Sequence, residues 1–133
     1  MTTTHLQSLK HKKTVLVVED SVTQAQTIRA FLEENGLSVI CAVDGPSGLK
    51  MAQATHPALI VMDVNMPGMD GFQVLQVLKH DPTTSDIPIV MLTSSSTPEA
   101  AMTGLTSGAI DYIPKDVFAM SVLIETIRQM GLL

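Results

Sequence analysis

The sequence predicts an α/β domain in which a parallel sheet of five strands is covered by helices on both faces. Short apolar runs without polar alternation recur five times along the chain, which is typical of strands buried on both faces. Each run is followed by a helical pattern, and strict alternation of this kind predicts a doubly wound parallel sheet. The 133 residues, 45% of them hydrophobic, suffice for one domain with a substantial core.

Apolar runs and turn residues place each element. The predicted strands span residues 14–18, 37–43, 59–62, 87–92 and 109–113. The predicted helices run from Ser21 to Gly36, from about 47 to 55, from 72 to 80, from Thr97 to Gly108, and from Asp116 to about 131. Ser21 and Thr97 are typical N-caps, whereas Gly36 and Gly108 favour helix C-termini. We expect residues 1–12 to form a flexible leader and residues 13–133 to form the domain.

The composition argues against several function classes. A net charge of −5 disfavours direct binding of nucleic acid, because phosphate contacts need clustered Lys and Arg. No apolar run approaches the roughly 18 residues that cross a membrane, and the N-terminus has no secretory pattern. The four histidines are scattered without the spacing of metal ligands. The single cysteine, Cys41, lies in an apolar run, so we expect a buried structural thiol in a cytoplasmic protein.

Reactive side chains follow four of the five predicted strands. Glu19 and Asp20 follow the first strand, Asp63 the third, Thr93 the fourth and Lys115 the fifth. Parallel strands end at one edge of a sheet, where open α/β sheets bind ligands. The flavodoxin-like strand order 2-1-3-4-5 would place the first and third strands side by side. We therefore expect the three carboxylates to meet there.

Three carboxylates in contact repel one another, so the pattern predicts a cation that neutralises them. Ligands that are all oxygen favour a hard ion, and in a cell that ion is Mg²⁺. With the ammonium of Lys115 and the hydroxyl of Thr93, the cation would form a cradle for a phosphoryl group held on Asp63 as an acyl phosphate. The alternative is that Asp63 only ends a strand and caps the turn made by Pro67 and Gly68.

These motifs together resemble the receiver domain of two-component response regulators, a CheY-like domain. The resemblance rests on five motifs in order: Glu19-Asp20, Asp63 with Asn65-Met66-Pro67-Gly68, Asp70-Gly71, Thr93-Ser94, and Tyr112 three residues before Lys115. It covers the chain from Lys13 to Gly131.

The resemblance implies a function, a cofactor and a role for each residue. Asp63 would be the phosphoacceptor, with Lys115 and Thr93 as its catalytic partners. The ligands around Mg²⁺ would be Glu19, Asp20, Asp63 and the backbone carbonyl of Asn65. Tyr112 would be a switch aromatic that moves into the space Thr93 vacates. The phosphoryl donor would be a phosphohistidine on a sensor histidine kinase or a phosphotransfer protein. The receiver would catalyse only its own phosphorylation and hydrolysis, so we do not expect a separate enzymatic activity.

One position departs from the family pattern. Lys115 is followed by Asp116, where the family usually has a proline after a cis bond. A non-proline cis bond costs about 3 kcal/mol, so we expect a trans bond here, and Asp116 could cap the last helix. Three other features have a plainer interpretation: Tyr112 as an ordinary core aromatic, Asp70 as a helix cap rather than a metal ligand, and residues 94–96 as loop polarity.

Three function classes follow. The first is a phosphorylation switch whose output is the surface of the fourth helix, fifth strand and fifth helix. That surface would bind a downstream protein or a second receiver, because Thr93 and Tyr112 flank it and no output domain follows the last helix in this sequence. The second class is a phosphatase-like or phosphotransferase enzyme with Asp63 as nucleophile. Such an enzyme needs a general acid, which Asn65 cannot supply.

The third class is a receiver-like interaction module that works without phosphorylation. Such a module is expected to have lost a residue of the acidic pocket, and none is lost here. The receiver part of a longer hybrid kinase or regulator also stays open.

Overall fold

The structure, a computed structural model, describes residues 12–133. The strands are β1 (Thr14–Val18), β2 (Ser38–Ala42), β3 (Leu59–Met62), β4 (Ile89–Thr93) and β5 (Asp111–Pro114). The helices are α1 (Val22–Glu34), α2 (Gly45–Thr55), α3 (Gly71–His80), α4 (Pro98–Thr106) and α5 (Ala119–Gln129). The strand order is β2-β1-β3-β4-β5 with every pair parallel, which confirms the predicted fold. The predicted leader, residues 1–12, lies outside the described part of the chain except for Lys12.

The two faces of the sheet are covered by different helices, because successive strand residues point to opposite faces. One apolar layer joins α2 and α3 to the strand residues Leu16, Val18, Ile60 and Met62. The other joins α1 and α5 to Val15, Val17, Leu59 and Val61. Strands β3 and β4 are buried along their whole length. The ends of the central strands are therefore held between two packed layers.

Three predicted element starts shift by two residues because turn residues take up backbone hydrogen bonds differently. Helix α2 begins at Gly45 rather than at about residue 47, since Asp44 is its N-cap and accepts a 2.8 Å bond from the N–H of Ser47. Strand β4 begins at Ile89 rather than at residue 87 because the intervening proline has no N–H. Strand β5 begins at Asp111 because the N–H of residue 109 instead donates to a carbonyl of α4, at 3.0 Å.

The start of α5 differs most from the prediction. The helix begins at Ala119, and its N-cap position, Phe118, makes no side-chain capping bond. Asp116 instead closes a turn before the helix: its Oδ1 accepts from Phe118 N at 2.8 Å and its carbonyl accepts from Ala119 N at 3.1 Å. The predicted capping of this helix by Asp116 is therefore wrong. The Lys115–Asp116 bond is trans as predicted, since no peptide bond within residues 12–133 is cis.

Asp70 caps α3, as predicted. Its Oδ1 accepts a bond from the N–H of Gln73, and Gln73 Oε1 accepts one from the N–H of Asp70, both at 2.9 Å. This reciprocal pair is a capping box. It fixes the point where the loop after β3 enters the helix.

Two observations bear on the function classes considered above. Cys41 is half-buried rather than buried, because it lies on the edge strand β2. Burial still raises the pKa of its thiol, which disfavours the reactive thiolate. No helix within residues 12–133 is long and apolar enough to span a lipid bilayer.

Gly71 controls the closure of the loop that carries Asp63. A Cβ at this position would lie 2.2 Å from the carbonyl oxygen of Asp63 and 2.9 Å from the Cα of Val64. Because these are backbone atoms at the end of a buried strand, they cannot move aside cheaply. We predict that Gly71→Ala lowers the free energy of unfolding by about 3 kcal/mol in urea denaturation.

Gly36→Ala is the matched control for this substitution. A Cβ at Gly36 meets nothing within 4 Å, so only its left-handed φ of +92° is strained. That strain costs about 1–2 kcal/mol. If Gly71→Ala were no more destabilising than Gly36→Ala, the close approach of the two loop segments would not limit this site.

Candidate functional site

The sheet itself fixes the backbone of three site residues, because its ladder of hydrogen bonds continues one residue past the strand ends. The N–H of Glu19 donates to the last carbonyl of β2 at 3.0 Å, and that of Asp63 to the last carbonyl of β1 at 3.1 Å. The N–H of Lys115 donates to the last carbonyl of β4 at 2.9 Å. These residues therefore meet at one edge of the sheet, as the sequence predicts.

The ammonium of Lys115 lies at the centre of the site. Its Nζ donates to Asp63 Oδ2 at 2.9 Å and to Glu19 Oε2 at 3.0 Å, and it also donates to the amide oxygen of Gln24. The Glu19 and Asp63 side chains are only 3% and 6% exposed, whereas that of Lys115 is 19% exposed. The ammonium thus neutralises buried carboxylates while keeping contact with solvent.

Burial and the ammonium act in opposite directions on the two carboxylates. Burial alone would raise the pKa of Asp63, but bonds from Lys115, from the Thr93 hydroxyl and from the N–H of Asn65 hold that pKa below its ordinary value. For Glu19, burial prevails and raises the pKa. Burial would lower the pKa of Lys115, but Asp63 and Glu19 raise it, so the ammonium stays charged. Asp63 is therefore an ionised carboxylate beside a permanent cation.

The donor set fits a hard divalent cation. Glu19, Asp20 and Asp63 each offer a carboxylate oxygen, and these oxygens all lie within 4.8 Å of one another. Asp20 is exposed, so water can reach this side of the cluster and complete an octahedral shell. The N–H of Asn65 donates to Asp63 Oδ1 at 3.1 Å. The metal-binding role of the Asn65 carbonyl stays a prediction.

Ser95 joins the acidic cluster to the predicted switch residues. Its N–H donates to Thr93 Oγ1 at 3.2 Å, and its hydroxyl exchanges bonds with the Asn65 amide, at 2.8 and 3.0 Å. Its carbonyl accepts the hydroxyl of Tyr112. Thr93 is fully buried, and the half-buried ring of Tyr112 packs so closely on Gly104 that a Cβ there would lie 2.9 Å from it. Thr93 and Tyr112 are therefore linked through one serine.

Sequence reasoning missed the contributions of Ser95 and Gln24. The sequence indicates only loop polarity for Ser95, since one serine among three offers no pattern of its own. Gln24 lies in the first turn of α1, where many polar residues are common, so its residue type alone indicates no role. A usable signal was present for Gln24: Ser21-Val-Thr-Gln24 matches the capping-box pattern, which places a long amide in the first turn after Asp20.

Comparison with known proteins identifies the family. The family model of the response regulator receiver domain matches residues 15–128. The chain belongs to this family. Receiver domains bind Mg²⁺ at an acidic cluster, and this receiver has such a cluster in Glu19, Asp20 and Asp63.

The matched segment covers different shares of the length of individual relatives. Response regulator PleD of Caulobacter vibrioides is 42% identical over 103 residues, which are 77% of this chain but 23% of PleD. Protein PilH of Pseudomonas aeruginosa is 36% identical over 103 residues, covering 77% of this chain and 85% of PilH. The structure of chemotaxis protein CheY4 of Vibrio cholerae matches with a TM-score of 0.81 at 32% identity, over 89% of this chain and 98% of CheY4. The chain thus spans less than a quarter of PleD but most of PilH and CheY4.

The central ammonium gives a stability prediction. Lys115→Met leaves Glu19 and Asp63 buried beside each other without a cation. We expect the free energy of unfolding at neutral pH and without Mg²⁺ to fall by about 3 kcal/mol. The exposed Lys50→Met should change it by less than about 0.5 kcal/mol. Urea denaturation of both variants measures the difference.

The same substitution should change the pH dependence of stability. The pKa of Asp63 lies below its ordinary value, so its contribution is present above that ordinary value and lost as pH falls through the folded-state pKa. Without the ammonium the pKa of both carboxylates rises, and their protonation then relieves the repulsion. The stability gap between parent and Lys115→Met should therefore shrink as pH falls. A gap that stayed constant or widened would contradict this account of the site.

Proposed function

We propose that this receiver is a switch in which Mg²⁺-dependent phosphorylation of Asp63 alters the surface of α4, β5 and α5. The observation that carries the proposal is the ionised, buried carboxylate of Asp63, 2.9 Å from the ammonium of Lys115 and beside two more carboxylates. This arrangement supplies a nucleophile together with charges that can stabilise a transferring phosphoryl group.

The transfer would begin with a phosphohistidine of the donor protein. One carboxylate oxygen of Asp63 forms a bond to phosphorus while the phosphorus–nitrogen bond breaks, and the electron pair of that bond returns to the imidazole. Lys115 remains protonated and donates to the phosphoryl oxygens. The Thr93 hydroxyl, buried at the end of β4, would turn toward the new group. A bound Mg²⁺ would supply further positive charge to those oxygens.

Hydrolysis of the acyl phosphate returns Asp63 to its starting state. Asn65 follows the acceptor by two residues and has no proton to give as a general acid. This supports a phosphoacceptor that catalyses only its own phosphorylation and dephosphorylation, rather than an enzyme acting on free phosphate esters. The complete acidic cluster likewise argues against a module that works without phosphate.

Exposed apolar side chains support α4, β5 and α5 as the output surface. Six of the ten large hydrophobic residues exposed within residues 12–133 lie on or beside these elements: Met102, Leu105, Ile110, Val117, Phe118 and Val122. A cavity of about 550 Å³ lies between β5 and α5, lined by Phe118 and Val122 among others. Exposed apolar side chains on neighbouring elements favour a site of protein association.

The partners we propose are a sensor histidine kinase or phosphotransfer protein as donor, and a downstream protein or a second receiver at the output surface. Response regulators as a class interact with histidine kinases and downstream targets. The location that we propose for this receiver is the cytoplasm. Because PleD is several times longer than the matched segment, the chain could equally act as the receiver part of a longer regulator.

The proposal predicts a covalent adduct. Incubation with acetyl phosphate and Mg²⁺ should raise the intact mass of the protein by one phosphoryl group. The adduct should be absent after chelation of Mg²⁺ and absent from Asp63→Asn, which keeps the shape of the side chain but removes the nucleophile. Intact-protein mass spectrometry measures each sample.

Asp70→Asn is the matched control for Asp63→Asn. It is the same substitution in the same loop, and asparagine preserves the cap of α3, so the adduct should form as in the parent. An adduct in Asp63→Asn equal to that of the parent, or none in the parent at any Mg²⁺ concentration, would refute the assignment.

The switch role of Tyr112 gives a second prediction. Tyr112→Phe removes the hydroxyl that binds the Ser95 carbonyl but keeps the ring on Gly104. We expect the rate of phosphorylation by acetyl phosphate to change by less than about twofold, since the hydroxyl does not touch Asp63. The chemical-shift changes of β5 and α5 amides on phosphorylation should become smaller, because the link to the β4–α4 loop is lost.

Amide spectra recorded with and without the stable analogue beryllofluoride test this prediction. The β1 and β3 amides beside Asp63 serve as the internal reference, because they should respond equally in both proteins. Equal responses in β5 and α5 as well would make Tyr112 an ordinary core aromatic.

A further inference from the structure

Two helices, α1 and α3, carry the capping-box residues at their N-cap and N3 positions, and the two copies behave differently. In α3, Asp70 and Gln73 close the box by reciprocal bonds of 2.9 Å. In α1, Ser21 accepts from the N–H of Gln24 at 3.3 Å, but the Gln24 side chain does not return to Ser21. The amide oxygen of Gln24 accepts instead from the ammonium of Lys115.

The unclosed half of the box has a local cause. The N–H of Ser21, which a closed box would occupy, donates to Glu19 Oε1 at 3.3 Å. Glu19 therefore takes the place of the glutamine at the helix start, and the glutamine side chain is free to reach across to β5. The start of α1 is therefore hydrogen-bonded both to the Glu19 carboxylate and to the Lys115 ammonium.

We propose that Gln24 is a positioning residue that holds the ammonium of Lys115 toward Asp63. A lysine ammonium has three N–H donors, and here the three acceptors are Asp63, Glu19 and Gln24. Gln24 is the neutral one. It can hold the ammonium without competing electrostatically for it with an incoming phosphoryl group, and it belongs to a helix rather than to the strand ends.

The space beside Lys115 shows why such a residue is needed. A cavity of about 200 Å³ is lined by Thr23, Gln24, Thr27, Ile28 and Lys115. A lysine side chain is flexible, and without the amide of Gln24 the ammonium has room to swing into this cavity, away from Asp63.

The proposal rests on the phosphoacceptor function of Asp63, and its test separates the two. Gln24→Met keeps the length of the side chain and removes the acceptor. The matched control is Gln73→Met, the same substitution at the same position of the other box. Phosphorylation by acetyl phosphate should slow about threefold to tenfold in Gln24→Met and stay unchanged in Gln73→Met.

A second measurement does not depend on phosphorylation. In protein carrying ¹³C at the lysine ε-carbons, the Lys115 signal is assigned by its loss in Lys115→Met. Gln24→Met should move this signal toward the position of freely rotating lysines, and Gln24→Glu, which restores an oxygen acceptor, should return it. If the parent forms no adduct, the proposed function fails while this signal still decides the role of Gln24.

Two results would overturn the proposal. The first is a Gln24→Met variant with the parent's phosphorylation rate and an unmoved Lys115 signal. The second is an equal slowing in Ser21→Ala, which weakens the cap of α1 but leaves the glutamine amide, since the effect would then belong to the helix end.

Discussion

The structure depends on one electrostatic constraint: two buried carboxylates at the edge of the sheet share one lysine ammonium. Removing a carboxylate from water is costly, and Glu19 and Asp63 are both almost fully buried. Lys115 offsets that cost with bonds of 3.0 and 2.9 Å. Among the described residues every buried side-chain polar atom has a partner, so the site is complete in its hydrogen bonding. The same compensation that stabilises the fold also keeps the Asp63 carboxylate ionised.

The parallel sheet is what makes this compensation possible. The charged residues lie far apart in sequence, but the strand order brings the ends of β1 and β3 together and sets β4 and β5 beside them. Ladder bonds reach one residue beyond the strands, so the backbones of Glu19, Asp63 and Lys115 are as fixed as the sheet itself. The close approach of Gly71 to the Asp63 carbonyl then holds the loop that follows β3 over the Asp63 side of the site. At these three residues the side chains, rather than the backbone, are free to respond to a ligand.

Sequence reasoning recovered what depends on periodicity and position along a strand. The strand ends that carry Asp63 and Lys115 follow from buried apolar runs, and the cap at Asp70 follows from its place before a helix. Hydrogen-bond partners could not be predicted where folding brings several acceptors or donors within reach of one side chain. The Asp116 carboxylate accepts from Phe118 N and closes a turn, and Gln24 leaves its capping box because Glu19 already occupies the N–H of Ser21. No local pattern encodes such competition.

The hydrogen bonds also explain how a change at Asp63 could reach a distant surface. Lys115 is shared among three acceptors, so a phosphoryl group that takes one of its N–H donors must weaken its bond to Asp63, Glu19 or Gln24. Thr93 is buried, and its hydroxyl accepts from Ser95 N, so a turn of Thr93 toward the phosphoryl group would pull on that residue. Ser95 in turn holds the Tyr112 hydroxyl through its carbonyl. Two hydrogen bonds at a single serine thus connect the side chain of Thr93 to that of Tyr112. A rearrangement of a few side chains would then alter the exposed apolar surface around β5 without a change in the sheet.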